Sequence, residues 1–230
     1  MHKDTRAFLA IWNDVDPPHA AEWDRWHVQE HFPERVGIDG FLVGRRYLAM
    51  EPGETTYFTL YEGRDLHVFD GPAYLDRLNN PTPWTQKISP AFRNFIRGAS
   101  RCVARTGLGD GGFLLAVRLT KDAGAGTPED SNVTADAMAA EIMALDGIHG
   151  VAVGCCDPDV TLVETAERRR RSGTADAIYN AVVLIEALEP EPLGTQRDAI
   201  CAAVRKHAPA YVIAGACRYQ LGYRLSRSDL

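Results

Sequence analysis

Two stretches decide how this chain is read: "GIDGFLVGRR", Gly37–Arg46, and "GIHGVAVGCC", Gly147–Cys156. Both carry the pattern Gly-Ile-x-Gly-x-x-Val-Gly, 110 residues apart. In each, a Gly-x-x-Gly turn opens onto an alternating run that suits a half-buried strand. A weaker echo joins "GASRCVAR" from Gly98 to "GACRYQLGYR" from Gly215. "FLAIW" from Phe8 and "FLLAV" from Phe113 both look like buried opening strands. Self-similarity of this kind points to an internal duplication.

Working outward, each half reads in the same order. Arg6 to Asn13 is an apolar strand, Asp16 an N-cap, and Pro17 stands at the first helical position, where a missing N–H costs nothing. The helix runs to about Arg35. "FLVGRRYLAM" and "TTYFTLYEG" follow as strands around a Pro52-Gly53 turn, then helical material in "RDLHVFDGPAYLDRLNN", then the strand "SRCVAR". The second half repeats this with Phe113 to Leu119, a helix from about Thr134 to Leu145, Val151 to Cys156, Ile178 to Glu186, a helix from about Gly194 to Lys206, and Ala216 to Arg224. The order β-α-β-β-α-β is the ferredoxin-like unit, an α+β arrangement. One such sheet leaves a face bare, and two copies cover each other face to face. The expected division is residues 1–106, a linker at 107–111, and 112–230.

Bulk properties bound the function. The 230 residues are 45% hydrophobic and 24% charged, enough for an ordinary core. A net charge of −6 argues against a nucleic-acid backbone as partner. No apolar run approaches the roughly 20 residues that span a bilayer. "MHKDTRAFLAIWNDVD" reads as a first strand, not a signal peptide. Cys102, Cys155, Cys156, Cys201 and Cys217 are odd in number and form no C-x-x-C pair, which suits reduced thiols in the cytoplasm.

The chemistry concentrates in "EWDRWHVQEH", Glu22–His31. At 100° per residue, Trp23, Trp26, His27, Glu30 and His31 fall on one side of a helix. "HVQEH" also matches H-x-x-E-H, in which two histidines hold zinc. A third ligand is missing: the next glutamate after Glu62 is Glu129, in a loop with no ligand-bearing helix. No metal is therefore expected. At the offset of 110, His27 becomes Ala137, His31 becomes Glu141, and Arg45 and Arg46 become Cys155 and Cys156. The polar cluster then belongs to the first half alone.

Alternation places Arg45 and Tyr47 on one strand face and Arg46 on the other. It also sets Tyr57, Thr59 and Tyr61 against Phe58 and Leu60. Phe58 and Leu60 are expected beneath the helices, with the tyrosines facing a cavity in the barrel. "NNPTPWTQKISP" offers Trp84 either as a rim over that cavity or as a pinned irregular segment. "ERRRRSG", Glu167–Gly173, reads as a solvated loop. No Ser-His-Asp order, G-x-S-x-G elbow or phosphate loop is present.

The run "EWDRWHVQEHFPERVGIDGFLVGRRYLA", with "YFTLYE" and "NNPTPWTQKISPAFRN", resembles the EthD-like members of the dimeric α/β-barrel superfamily, in particular their fused two-repeat forms. Trp26, Glu30, His31, Gly40, Phe41, Arg45, Arg46 and Tyr47 carry that resemblance. It implies tandem ferredoxin-like repeats closing an intrachain barrel. The superfamily holds cyclases, isomerases, quinone-forming monooxygenases and haem-binding enzymes, so fold alone does not select a reaction. The leading expectation is a cofactor-independent lyase, isomerase or cyclase acting on a small cyclic, aromatic or polyketide-like metabolite. His31 moves the proton, His27 or Tyr61 is the second carrier, and Arg45 or Arg46 holds the anion. Trp12, Trp23, Trp26, Tyr47, Tyr57 and Trp84 are the candidate substrate walls. A haem or quinol-type oxidoreductase and a non-catalytic binding protein are the alternatives. The expected partner is a small molecule, not nucleic acid or membrane, with a homodimer as a further expectation.

Overall fold

The computed structural model describes residues 1–52, 55–121, 131–171 and 178–230, with side chains from 134 onward in the third of these spans. Gly53, Glu129 and the Ser172-Gly173 end of the arginine run lie outside the described residues. The first half contains β1 (Ala7–Val15), α1 (Ala20–Trp26), a π-helical turn (His27–His31), α2 (Phe32–Val36), β2 (Phe41–Ala49), β3 (Tyr57–Gly63), α3 (Pro72–Asn79), α4 (Pro83–Ile88) and β4 (Phe92–Gly107). The second contains β5 (Phe113–Lys121), α5 (Ser131–Met143), β6 (Ile148–Cys156), α6 (Pro158–Thr161), α7 (Ala166–Arg170), β7 (Ala181–Ala187), α8 (Pro190–Thr195), α9 (Arg197–His207) and β8 (Tyr211–Ser226).

All neighbouring strands are antiparallel and close in the order β1-β3-β2-β8-β5-β7-β6-β4. Each half therefore has the ferredoxin-like order, 4-1-3-2 and 8-5-7-6. The bare faces meet, but the sheets are not merely stacked. β4 and β8 are each 16 residues long and change partner along their length. The start of β4 pairs with β1 and its end with β6, while β8 passes from β5 to β2. Two long strands, not a glycine linker, join the sheet edges and remove the open edges that stacked sheets would leave.

The interior is packed. Phe8, Trp12, Tyr47, Phe58, Leu60, Leu114, Tyr179, Val182, Leu184 and Tyr219 fill it. This reverses the expected facing of β3. Phe58 and Leu60 point into the barrel, whereas Tyr61 lies under the helices with Phe32, Val36 and Phe69. Alternation tells which residues share a face, and closure decides which face is inside. Trp12 and Tyr47 are thus core side chains, not cavity walls. Arg45 points inward too and is fully buried. It pairs with Glu186 at 2.8 Å, with Asp110 at 3.0 Å and with Glu62. That network compensates the charge of a buried guanidinium through its two Nη atoms, so Arg45 is occupied structurally.

The register also corrects the repeat. Gly40 and Gly147 both have positive φ, 93° and 79°, and both end the turn into the second strand of their half. That turn, Gly40 included, aligns with its counterpart at an offset of 107, three residues from the offset of the shared motif. The β2–β3 and β6–β7 ladders agree, since Val43 faces Glu62 as Gly150 faces Glu186. The true counterparts of His31, Arg35 and Arg46 are accordingly Met138, Ile142 and Val153. All three lie in the apolar layer between the second sheet and its helices.

Candidate functional site

The residues from 20 to 36 form one continuous helix with a π turn at its centre. Pro33 lacks the N–H that would bond to the carbonyl of Gln29. Widening the preceding turn is one way for a helix to absorb such a loss, and π turns recur at functional sites. Here the turn carries His27 and His31 side by side, ring centroids 5.4 Å apart. His27 lies against Trp23 at 4.5 Å, and His31 against Trp26 at 4.4 Å. Gly44 lets the helix settle, because a Cβ there would sit 2.5 Å from the Phe32 ring.

Beneath this helix is a pocket on the outer face of the first sheet, with a cavity of about 50 Å³. That is room for a few waters or a small organic molecule. Ile11, Asn13, Thr59 and Tyr61 form the floor, and Trp23, Trp26, His27, His31 and Arg35 the roof. The third wall comes from the second half, where Val160, Thr161, Thr165, Glu167 and Arg171 line the opening. This wall was not legible in the sequence. Glu167 is buried on α7 and bonds Arg35 Nη2 at 2.8 Å, across 132 residues of chain. Thr165 caps α7, and Arg171 lies over the Phe95 ring at 4.0 Å. Within the arginine-rich stretch, read from sequence as a solvated loop, Arg169 and Arg170 are exposed as expected, whereas Glu167 and Arg171 pack on the first half at the pocket.

Five buried polar atoms in this lining have no hydrogen-bond partner: Trp23 Nε1, His27 Nδ1, His31 Nδ1, Thr59 Oγ1 and Tyr61 OH. Buried polar groups are seldom left unpaired, and all five of these belong to residues that line one cavity. Burial holds both imidazoles well below their usual value, assisted by Arg46 and Arg35 at His27 and by Arg35, His27 and Arg171 at His31. Both are neutral at physiological pH. Burial likewise pushes the Tyr61 phenol well up, opposed by Arg35. The site thus offers neutral donors and acceptors beside a fixed cation.

The other expected residues stand apart. Arg46 is on the outer face but bonds Asp24 at 2.8 Å and stacks on Trp23 and Tyr57, supporting the roof rather than lining the pocket. Tyr57 lies against Trp23 at 4.2 Å. Trp84 sits on α4, a capped helix and not an irregular segment, and packs behind Trp23 and Trp26. Glu30 turns away, accepting bonds from Trp26 Nε1 and from Thr82 and Thr85. It therefore fastens α4 to the long helix and does not face the histidine pair. Among the described residues, no three histidine, cysteine or acidic side chains are grouped to hold a metal.

No family profile matches the chain, and no curated protein matches its sequence. Solved structures do match its fold. An anthrone oxidase-like protein aligns over 100% of this chain and 96% of its own, with a TM-score of 0.65 at 11% identity. A haem-binding protein from Thermus thermophilus aligns over 98% and 93%, with a TM-score of 0.51 at 10% identity. Chlorite dismutase from Candidatus Nitrospira defluvii aligns over 95% and 92%, with a TM-score of 0.51 at 11% identity. At such identities the likeness is one of fold. These neighbours are dimeric α/β-barrel proteins built on the same eight-stranded barrel. No helix among the described residues is long and apolar enough to cross a membrane.

Proposed function

We propose that the chain is a cofactor-independent acid–base enzyme, a lyase, isomerase or cyclase, acting on a small cyclic or aromatic metabolite in the pocket beneath the long helix. One observation carries this reading: His31 Nδ1 and Tyr61 OH are both buried and unpartnered, on two residues that line one small cavity. A neutral imidazole accepts a proton from a carbon next to a carbonyl. The C–H electron pair moves onto the carbonyl oxygen, where the neutral Tyr61 hydroxyl donates a hydrogen bond. Return of the proton from His31 to a different atom completes an isomerisation, or expulsion of a leaving group completes an elimination. His27, one turn away, raises the cost of holding charge on His31 and so favours prompt return of the proton. The EthD-like, two-repeat reading and the division into residues 1–106 and 112–230 belong to the same proposal, and neither selects the reaction.

A haem-dependent reading, prompted by the Thermus neighbour, fits less well. A porphyrin occupies many times the cavity's volume of about 50 Å³. The test is proton exchange. Small cyclic ketones, lactones and enolisable phenol precursors are incubated with the protein in D2O, and loss of C–H signal is followed by NMR. Exchange that disappears in His31→Ala supports the enzyme. Absence of exchange across the panel, with ligand binding intact, supports the non-catalytic binding protein instead.

A further inference from the structure

We propose that the pocket is selective for small organic acids, and that Arg97 is the residue that takes the carboxylate. The proposal rests on the pocket being the substrate site and adds to it the charge class of the substrate.

The sheet register sets up the case. Arg46, Thr59, Ile11 and Arg97 form one row across β2, β3, β1 and β4. The same row in the second half is Val153, Val183, Val117 and Ala216. All four of those belong to the apolar layer under α5 and α9. The fold therefore fills this row with aliphatic side chains when only packing is required, and the first half places a guanidinium at each end. One of the two, Arg46, is neutralised by Asp24. The other is not. Arg97 lines the pocket, half-buried, and donates to the carbonyl of Thr161 at 2.8 Å and to the hydroxyl of Tyr74 at 3.4 Å. Among the described residues it has no carboxylate within ion-pair range. Its two anchors are neutral, so they orient the guanidinium and leave its charge uncompensated.

Arg35 and Glu167 line the cavity as a pair, and Arg168, which also lines it, pairs with Glu164, so the case rests on the guanidinium of Arg97. A cleft with low-dielectric aromatic walls and an uncompensated guanidinium concentrates anions. Thr59, two strands from Arg97 in the same row, has a free hydroxyl, and Tyr61 is next on its strand face. With strands about 4.8 Å apart, the span from Thr59 to Arg97 is about 10 Å, the length of a small aromatic acid. Such an acid would set its carboxylate on Arg97 and its opposite end by Thr59, Tyr61 and the histidines. A guanidinium meets a carboxylate with two parallel N–H donors, which an uncharged amide cannot reciprocate.

The test uses the intact protein and four probes: benzoate, acetate and their amides, benzamide and acetamide. Binding is read by quenching of tryptophan fluorescence, because Trp23 and Trp26 are in the pocket roof. The acids are expected to bind about tenfold or more tightly than the matched amides. Arg97→Met, which keeps the aliphatic stem, should lose about tenfold in benzoate affinity, and Arg97→Lys should recover part of it. Melting curves confirm which variants are folded, and the acid-against-amide comparison on the unmodified protein needs no variant at all. The proposal is overturned if neither acid binds, if amides bind as well as acids, or if a folded Arg97 variant binds benzoate within about twofold of the parent. Because binding is read without turnover, a failure of the proton-exchange assay leaves this result intact, and the reverse holds too.

Discussion

His31 and Tyr61 approach across the pocket with ring centroids 6.3 Å apart, and neither His31 Nδ1 nor Tyr61 OH has a hydrogen-bond partner. A helix and a strand hold the two rings. Both residues line the cavity, and a guest that reached their two polar ends would gain hydrogen bonds that the protein does not itself supply.

Tyr61→Phe separates function from folding. The lost hydroxyl has no partner in the folded protein, so stability is expected to hold or to rise slightly. Proton exchange of any substrate found in the NMR panel is expected to fall about 10²-fold or more, since a positioned proton donor is removed. Thermal melting and the exchange rate, measured on the same preparation, check both halves. A large loss of stability would show that the phenol is structural.

Glu167→Ala removes one partner of a buried ion pair with Arg35, whose side chains are 2% and 8% exposed. Glu34 stays on Arg35 at 3.1 Å, so urea unfolding is expected to show a loss below the ~3–5 kcal/mol that a fully uncompensated buried charge costs. Because Glu167 fastens the third wall to the long helix, ligand quenching of Trp23 and Trp26 should weaken in the same variant.

Stability should fall in mild acid. His27 and His31 are held neutral in the folded protein, while in the unfolded chain they take up protons below about pH 6.5. The unfolded state then binds more protons than the folded one, so stability is full above that pH and declines as pH drops toward the depressed folded values. The slope is about 1.4 kcal/mol per pH unit for each histidine. Melting temperatures between neutral pH and pH of about 5 should decline less steeply in His27→Gln/His31→Gln than in the parent. Equal slopes would remove the two imidazoles from the account.

Gly44→Ala tests how the helix is seated. The added Cβ would lie 2.5 Å from Phe32 and 3.0 Å from Tyr61. Overpacking of this kind costs about 1–3 kcal/mol. Chemical denaturation should register it, and ligand binding should weaken as the π turn is pushed off the sheet.

Much of the architecture is written locally. Glycine turns, alternating strands and a proline-started helix spell β-α-β-β-α-β twice, because each signal concerns residues a few positions apart. Helical periodicity likewise gathers Trp23, Trp26, His27 and His31 without reference to the rest of the chain, and all four line the pocket. What the sequence left open was every choice between equivalent alternatives. Period-two alternation is unchanged when a strand is turned over, so only closure of the barrel put Phe58 and Leu60 inside and Tyr61 under the helices. The glycine motif repeats at 110, yet the ladders align its halves at 107, because inter-strand hydrogen bonds and side-chain burial, not sequence likeness, fix register. Arg97 and Glu167 gave no local signal at all. They reach the site through contacts spanning tens of residues to more than a hundred, with Glu167 meeting Arg35 across 132 positions, and such pairings exist only once two sheets have closed on each other.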